Sequence, residues 1–389
     1  MSIIIFGDSF SFPEGNAATN RVHTYAKGFY ENGIQVHVIC FSNDYVADTC
    51  GISEGIHYYH PFGQKTRSKY LLKRRWLKLI KYYKAFQICK SIQKNDKIIA
   101  INFWTETLLT HLFSFLLTKA LKTRAILERS ENPLRNCQGS ILNQFYGQVK
   151  LHLEILLYDG FICISHHLIE FYKTRGVNQK RLFLVPSTVD PSRFTIEAEK
   201  PVDFKYLGYF GSLTFERDDV DVLIRAFKEI SLKYPDIHLV LGGSGSDVDR
   251  EKIINLILTL KIENKVLLLD YLSRSDIINY ITHSEVLVMV RKNDMKSKAS
   301  YPSKLTEYLT TSIPIVTVNV GEISDYLTDG TNCFLAEAGN QKALFIKIDF
   351  VLCNYNLALE VAKKGKELTQ TIFNYNYQAK RLIEIFNSL

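Results

Sequence analysis

Short apolar runs alternate with stretches of helical periodicity along the whole chain. The first half contains six such runs, at Ile3–Phe6, Gln35–Phe41, Lys97–Asn102, Ala125–Glu128, Gly160–Ile164 and Arg181–Val185. The second half contains six more, at Tyr206–Phe210, His238–Leu241, Lys265–Leu269, Val286–Val290, Ile313–Val318 and Cys333–Ala336. Between them, apolar residues recur at helical spacing, as in Val220–Leu232, Arg250–Leu260 and Asp276–Thr282. Because strands that are buried on both faces are apolar throughout, this alternation predicts parallel sheets covered by helices.

Two sets of these units predict an α/β fold with two doubly wound (Rossmann-like) parallel-sheet domains facing across a cleft. A polar, proline-containing stretch over 195–203 separates the two sets, so we expect domains at 1–198 and 199–369. The amphipathic end of the chain, 370–389, precedes no strand and is expected to pack back on the first domain. Ligands bind at the carboxyl ends of parallel strands, which makes the cleft the expected site.

The segment Tyr301–Val320 carries the most informative polar residues. Its pattern predicts a loop, a short helix and a buried strand, and Pro302 suits the first helical turn. A helix start at Ser303 with the Lys304 side chain is suited to binding an anion. Glu307, one turn further along, can accept hydrogen bonds from a pair of sugar hydroxyls. The segment therefore predicts a site for a nucleoside diphosphate.

Two other loops that follow predicted strands contain residues suited to the same ligand. Gly15 and Asn16 lie in a loop of small residues that lets a ligand approach the backbone. Gly211 ends the strand Tyr206–Phe210, and Arg217 precedes the next helix, where a guanidinium can bind phosphate oxygens. Metal-ligand spacing and nucleophile motifs are absent from the sequence, so we expect no metal and no cofactor.

Composition narrows the class of protein. The 389 residues are 46% apolar, and no apolar run reaches the roughly 18–20 residues of a membrane span. The N-terminus lacks the basic region and cleavage site of a secretion signal. The seven cysteines form no CxxC pair, as expected for reduced thiols in a cytoplasmic protein.

The net charge of +8 is unevenly distributed. Lys65–Lys84 contains nine lysines and arginines and no acidic residue. Its periodicity predicts a helix with Leu72, Trp76, Leu79, Ile80 and Tyr83 on one face and Arg74, Lys78 and Lys81 elsewhere. Two interpretations stay open: a helix that lies on an anionic membrane, or a domain helix with a solvated basic face. No nucleic-acid motif accompanies the charge, so nucleic acid is not an expected partner.

Together these segments resemble a glycosyltransferase of the GT-B fold, and within that class the large retaining family four (group 1 glycosyl transferases). The C-terminal half carries the more specific similarity, in GSLTFERDDVDVLIRAF, LVLGGSGSD, VLLLDYLSRSDIINYITHSEVLVMV, PSKLTEYLTTSIPIV and EISDYLTDGTNCFL. In the first half, FPEGNAATNRVHTYAKGFYENGIQVHVI is similar to the opening loop, helix and strand of the family.

The resemblance implies roles for particular residues. Glu307 matches the second glutamate of the family's E-x7-E motif, which binds the donor ribose. The backbone amides of Ser303, Lys304 and Leu305 match the loop that meets the diphosphate, Arg217 takes the slot of a phosphate-binding lysine, and Gly15 and Asn16 match the glycine-rich loop. Two positions depart from the family: Ala299 replaces the first glutamate of the motif, and Ser212 replaces the arginine that usually follows Gly211.

The expected activity is transfer of a sugar from a UDP- or GDP-sugar to a glycan or lipid-linked acceptor in cell-surface polysaccharide synthesis. The resemblance implies a hexosyltransferase type that retains anomeric configuration. Glu131, in a loop that follows the Ala125–Glu128 strand, is a candidate for positioning the acceptor hydroxyl, or else a turn carboxylate.

The expected location is cytoplasmic, with peripheral attachment to the inner face of the membrane through Lys65–Lys84. Alternatives are a sugar-nucleotide epimerase on the same fold and a non-catalytic, membrane-apposed nucleotide-sugar-binding protein.

Overall fold

The computed structural model describes the chain except for Asn16, Asp44, Ala47, Asn136, Gln138, 195–198, Tyr271 and the side chain of Arg274. It divides into two compact units. Unit 1 comprises Met1–Thr188 together with Tyr375–Leu389, and unit 2 comprises Val189–Asn374. The sequence predicts a division between residues 198 and 199, at the end of the segment 195–198, which lies outside the described residues.

Unit 1 is built on an eight-stranded sheet with the order β3-β4-β2-β1-β5-β6-β7-β8. The strands are β1 (Ser2–Gly7), β2 (Gln35–Cys40), β3 (Cys50–Ser53), β4 (Ile56–Tyr59), β5 (Ile98–Trp104), β6 (Arg124–Arg129), β7 (Gly160–Cys163) and β8 (Leu182–Leu184). Only the β3–β4 pair is antiparallel within the described residues. The first five helices are α1 (Ala17–Glu31), α2 (Leu71–Asn95), α3 (Leu108–Leu121), α4 (Ile141–Leu157) and α5 (His166–Lys173). The strand order reverses between β1 and β5, which makes that point a switch point.

Unit 2 has a six-stranded, parallel sheet with the order β11-β10-β9-β12-β13-β14. The strands are β9 (Lys205–Phe210), β10 (Ile237–Gly242), β11 (Val266–Leu268), β12 (Val286–Met289), β13 (Ile315–Val318) and β14 (Phe334–Ala336). The helices are α6 (Val220–Lys233), α7 (Asp247–Leu260), α8 (Arg274–Thr282), α9 (Met295–Lys298), α10 (Ser303–Leu309), α11 (Ile323–Tyr326), α12 (Gln341–Cys353) and α13 (Tyr355–Gln370). Its switch point lies between β9 and β12.

The predicted α/β class with two doubly wound, parallel-sheet domains is confirmed, with all twelve predicted strands present and their ends shifted by a residue or two. The β3–β4 hairpin was not predicted. Its two-residue turn, Glu54-Gly55, has φ angles of 50° and 81°. Positive φ at both central residues is typical of a type I′ hairpin turn, so the glycine after Glu54 was the available signal.

The last helix, α14 (Tyr375–Ser388), belongs to unit 1 and packs against α1. Its buried face includes Ala379, Leu382 and Phe386. A Cβ on Gly28 of α1 would collide with the Cβ of Ala379, so glycine permits the close approach of the two helices. None of the helices described in the structure has the length and apolarity needed to cross a bilayer.

The helix predicted within Lys65–Lys84 differs from the structure in its start and in its orientation. Helix α2 begins at Leu71, so the basic residues Lys65, Arg67 and Lys69 precede it. The periodicity placed Lys81 away from the apolar residues, and in the structure its side chain is buried. Its ammonium donates to the Phe41 carbonyl (2.7 Å) and to Asn43 Oδ1 (3.1 Å), and it lies 4.2 Å from the centroid of the Phe41 ring.

Candidate functional site

The carboxyl ends of β9, β10 and β12 bring together several of the residues singled out in unit 2. Gly211 directly follows β9, and its N–H donates to the carbonyl of Gly242 at the end of β10 (2.8 Å). Arg291 follows β12, the strand beside β9. In doubly wound sheets this position, where the strand order reverses, is the usual ligand site.

Lys304, in the first turn of α10, extends its side chain toward the end of β9. Its Nζ donates to Tyr209 Oη (3.1 Å), lies 4.6 Å from the centroid of that ring and lies 3.9 Å from Asp218 Oδ1. The Lys304 side chain is 18% exposed. Burial lowers the pKa of Lys304 and Asp218 partly offsets this effect, whereas Arg291 and Arg217 lower the pKa further.

Gly211 is required for this position of Lys304. A Cβ at residue 211 would occupy the space of the Lys304 side-chain end, with Nζ and Cε as its nearest neighbours. The next residue, Ser212, is partly buried, and its carbonyl accepts the Tyr209 hydroxyl (2.7 Å). Glycine and tyrosine together therefore direct the Lys304 ammonium.

Arg291 is a candidate site residue that the sequence analysis missed. It is 4% exposed, and its hydrogen bonds go to neutral groups: Nε to Ser297 Oγ (3.1 Å), Nη2 to Ser300 Oγ (2.6 Å) and Nη1 to the Ser300 carbonyl (3.3 Å). Burial lowers its pKa to about 10, with a further contribution from Arg217. The signal in the sequence was an arginine directly after the apolar run Val286–Val290.

Arg217 is exposed on the loop before α6. Its carbonyl accepts the N–H of Lys292 (3.2 Å), which joins this loop to the segment after β12. Burial is the main cause of the lowered pKa of Lys304 and of Arg291; Arg217 lowers both pKa values further, and the buried carboxylate of Asp218 partly offsets the effect. An anion bound here would stabilise the charged forms of these side chains.

The other residues predicted in unit 2 lie on α10. Ser303 and Glu307 are partly buried, and Leu305 is fully buried in the core. The N–H of Leu305 donates to the carbonyl of Pro302 (3.1 Å). Ala299, which stands where the family has a glutamate, is 1% exposed at the end of α9.

The predicted residues of unit 1 that the structure describes, Gly15 and Glu131, lie on two loops. Gly15 is exposed before α1, and Asn16 lies outside the described residues. Glu131 follows β6, is 30% exposed and forms an ion pair with Arg135, which also pairs with Glu106 (3.2 Å).

Asp8, which the sequence analysis did not select, lies at the switch point of unit 1. Its N–H donates to the carbonyl of Trp104 at the end of β5 (3.0 Å). Its Oδ2 accepts hydrogen bonds from the hydroxyls of Thr105, Thr107 and Thr110 at 3.1–3.3 Å. Burial raises the pKa of Asp8, and these hydroxyls partly offset the effect.

A buried ion pair connects α1 with the end of β6. Arg21 donates from Nε to Glu128 Oε1 (2.8 Å) and from its terminal nitrogens to the carbonyls of Pro186 and Val185 (2.5 and 2.7 Å). Burial raises the pKa of Glu128 to about 7, even though Arg21 favours the ionised form.

Comparisons with known proteins agree with this architecture. Residues 193–368 match the family model described as Glycosyl transferases group 1. The chain is also similar to a phosphatidylinositol N-acetylglucosaminyltransferase component from Arabidopsis thaliana, with 29% identity over 89 residues. That match covers 22% of this chain and 20% of the Arabidopsis protein.

Solved structures share the fold over the full length. Sucrose-phosphate synthase from Thermosynechococcus elongatus has a TM-score of 0.75 at 15% identity, covering 100% of this chain and 99% of that one. HepE of Anabaena, in complex with UDP and glucose, has a TM-score of 0.74 at 15% identity, covering 99% of both chains. WaaG, a glycosyltransferase involved in lipopolysaccharide biosynthesis, has a TM-score of 0.66 at 14% identity, covering 99% of this chain and all of that one.

The two doubly wound units have the GT-B fold, and the cationic cluster lies at the switch point of the second unit. The segment that matches the family model of the group 1 glycosyl transferases covers most of unit 2 and contains this cluster.

Proposed function

We propose that the protein transfers a hexosyl group from a UDP- or GDP-sugar to a glycan or lipid-linked acceptor. The observation that carries this proposal is the position of the cations Arg217, Arg291 and Lys304 at the switch point of unit 2, the edge of a doubly wound sheet at which ligands bind. The HepE structures that share the fold contain UDP and UDP-glucose, which supports a nucleotide-sugar donor and makes UDP-glucose the first donor to test.

The proposed reaction retains anomeric configuration and uses no metal. When the glycosyl–phosphate bond breaks, negative charge develops on the leaving diphosphate, and preorganised cations stabilise that charge. Arg217, Arg291 and Lys304 are suited to this role. The oxygen of the acceptor hydroxyl bonds to the anomeric carbon from the side of the leaving group while the bond to the diphosphate breaks. Its proton passes to an oxygen of the departing diphosphate, and Glu131 positions the hydroxyl.

The proposed setting is cell-surface polysaccharide synthesis at the cytoplasmic face of a membrane. The basic segment Lys65–Lys84 supports peripheral attachment, since clustered lysines and arginines are attracted to anionic lipid headgroups.

Thermal unfolding in the presence of UDP and GDP tests the donor site. A nucleotide at a hundred times its Kd adds about 2.7 kcal/mol to the unfolding free energy, and we expect one of the two to do so. A screen of UDP- and GDP-sugars for slow hydrolysis then identifies the sugar. Absence of stabilisation by every nucleotide would contradict the proposal. Stabilisation without hydrolysis or transfer of any donor would favour the non-catalytic binding protein, an interpretation that Ala299 and Ser212 support. Formation of an isomer from the donor alone would identify an epimerase.

A further inference from the structure

Helix α2 presents apolar side chains to solvent rather than to the core. Leu72, Trp76, Leu79 and Tyr83 are 62–78% exposed. Their spacing of four, three and four residues places them in one stripe along the helix. The buried side of α2 is formed by other residues, among them Ala85, Cys89 and Ile92. The stripe is therefore a surface that the fold of unit 1 leaves uncovered in the described structure.

Two neighbouring helices of unit 1 also expose apolar side chains. Helix α3 exposes Leu109, Leu112 and Leu116, and α4 exposes Ile141, Leu142 and Phe145 near its start. Tyr82 of α2 hydrogen-bonds Thr110 of α3 (3.1 Å), and His111 of α3 contacts Glu154 of α4 (3.2 Å). We call the exposed apolar residues of these three helices the apolar face. Exposed apolar side chains grouped on neighbouring elements indicate an interaction surface.

The start of α2 also lines a basic cavity of about 490 Å³. The charged residues that line it are Arg67, Arg74, Arg75 and Lys78, and its other lining residues include Asn43, Tyr45 and Ser68. The buried Nε of Arg74 has no hydrogen-bond partner in the part of the chain that the structure describes. Guanidinium groups beside hydroxyl and amide groups form a suitable site for a phosphate.

Charge distinguishes between the possible occupants of the apolar face. Residues 55–95 contain no aspartate or glutamate, so the charged side chains of α2 are all positive, and the charged residues among the described lining of the cavity are all basic. Apolar side chains bordered by lysines and arginines complement the interface of an anionic bilayer, where the side chains enter the acyl boundary and the cations contact headgroups.

We propose that the apolar face docks on a bilayer of anionic phospholipid, with one lipid phosphate in the basic cavity. This inference rests on the proposed placement at a membrane and specifies the surface that attaches. Leu72 and Trp76 enter the bilayer interface, and Arg67, Arg74, Arg75 and Lys78 bind headgroup phosphates. Buried Lys81 takes no part, because it already binds the Phe41 carbonyl.

Co-sedimentation of the full chain with vesicles tests this surface. We expect binding to phosphatidylcholine vesicles that contain phosphatidylglycerol and little binding to phosphatidylcholine alone. Each basic residue near the surface strengthens binding roughly fivefold, so the triple variant Lys73→Glu, Arg75→Glu, Lys78→Glu should lose at least a hundredfold. The matched control, Arg225→Glu, Lys252→Glu, Lys364→Glu, changes the net charge equally on exposed residues of unit 2 and should bind as the wild type does.

Two more variants separate the components of the surface. Leu72→Ser with Trp76→Ser should weaken binding that remains at high salt, because that part depends on apolar insertion. Arg74→Gln should reduce the preference for phosphatidylglycerol, and an unchanged preference would overturn the cavity assignment. Stabilisation by nucleotide, measured on the same samples, shows that each variant is folded and tests the donor site separately.

The following results would overturn the docking proposal. Wild-type protein that sediments equally with both kinds of vesicle, or with neither, has no anionic-lipid surface. Equal loss in the control triple variant would show that net charge alone drives binding. Self-association that depends on Leu72 and Trp76, without vesicle binding, would identify a second copy of the chain as the occupant.

Discussion

At the scale of single residues, the environment of Lys304 is the most informative. Tyr209 directs its ammonium, Gly211 leaves space for its side chain, and burial lowers its pKa, with a further contribution from Arg291 and Arg217. Asp218, 3.9 Å from the ammonium, offsets this effect only in part, so an additional anion at the cluster would be favourable. The surroundings of Lys304 therefore explain why residue 211 is a glycine and support a diphosphate as the ligand.

Replacing Lys304 with Ala should weaken the binding of the donor and slow the transfer. The loss of one cation that stabilises the leaving diphosphate is expected to raise the barrier by about 2–4 kcal/mol. Steady-state kinetics with UDP-glucose, or with the donor found in the screen, measures this change. Lys298→Ala, at an exposed residue of α9, is the control and should keep wild-type kinetics. A Lys304→Ala enzyme with full activity would remove Lys304 from the site.

A substitution that adds one methyl group tests the same geometry without removing charge. In Gly211→Ala, the new Cβ displaces the flexible end of Lys304, so we expect weaker nucleotide binding with little loss of fold stability. Gly330→Ala, where a Cβ meets open space but φ is 68°, measures the cost of backbone strain alone and should leave binding intact. Titration with nucleotide measures the binding affinity of each variant, and chemical denaturation measures its stability.

Buried Glu128 predicts a pH dependence of stability in unit 1. Burial raises its pKa from 4.5 to about 7, so between these values the folded state keeps a proton that the unfolded state has lost. The unfolding free energy should therefore fall as pH rises through this window, by on the order of 3 kcal/mol. Denaturation of wild type and Glu128→Gln across pH 4.5–8 measures the difference in slope. If the unfolding free energies of wild type and Glu128→Gln change in parallel with pH, the pKa of Glu128 is not raised. The control, Glu170→Gln at an exposed residue, should show the same pH dependence as the wild type.

At the scale of elements, α2 and α14 show how similar sequence patterns acquire different environments. In each helix a set of apolar residues recurs at helical spacing. Helix α14 buries Leu382 and Phe386 against unit 1, whereas α2 leaves Leu72 and Trp76 exposed. Periodicity identifies a helix and its apolar face, but it does not tell which element, if any, covers that face.

Leu382→Ala should destabilise unit 1 by about 2–5 kcal/mol, because the substitution leaves a cavity between α14 and the core. Chemical denaturation measures the loss. Exposed Lys380→Ala, on the same helix, is the control. Since Leu382 belongs to unit 1, we expect nucleotide to bind the folded variant with unchanged affinity. A loss of unfolding free energy below about 1 kcal/mol would show that α14 contributes little to stability.

At the scale of the whole molecule, the candidate residues are divided between the two units. The cationic cluster and Glu307 lie in unit 2, and Gly15 and Glu131 lie in unit 1. This division predicts that substitutions in the two units alter different kinetic parameters.

Glu131→Gln should lower the rate of transfer while nucleotide affinity stays at the wild-type value. The amide keeps the shape of the side chain but loses the charge that pairs with Arg135 and is proposed to position the acceptor. Calorimetry with nucleotide and a transfer assay measure the two quantities separately. Unchanged turnover would exclude Glu131 from positioning the acceptor. Glu170→Gln on α5 is the matched control and should keep the wild-type rate of transfer.

The sequence by itself determined the alternation of strands and helices, because continuous burial on both faces of a parallel sheet leaves an apolar record in the chain. It also indicated Lys304 and Arg217, since cations in loops after such strands lie at the ligand-binding edge. Tertiary structure decided what depends on contacts between distant segments. It placed Arg291 and Tyr209 beside Lys304, buried Lys81, exposed the apolar stripe of α2 and paired Arg21 with Glu128. The sequence shows which side chains are apolar and how they are spaced, whereas the packing of the elements determines which residues surround each of them.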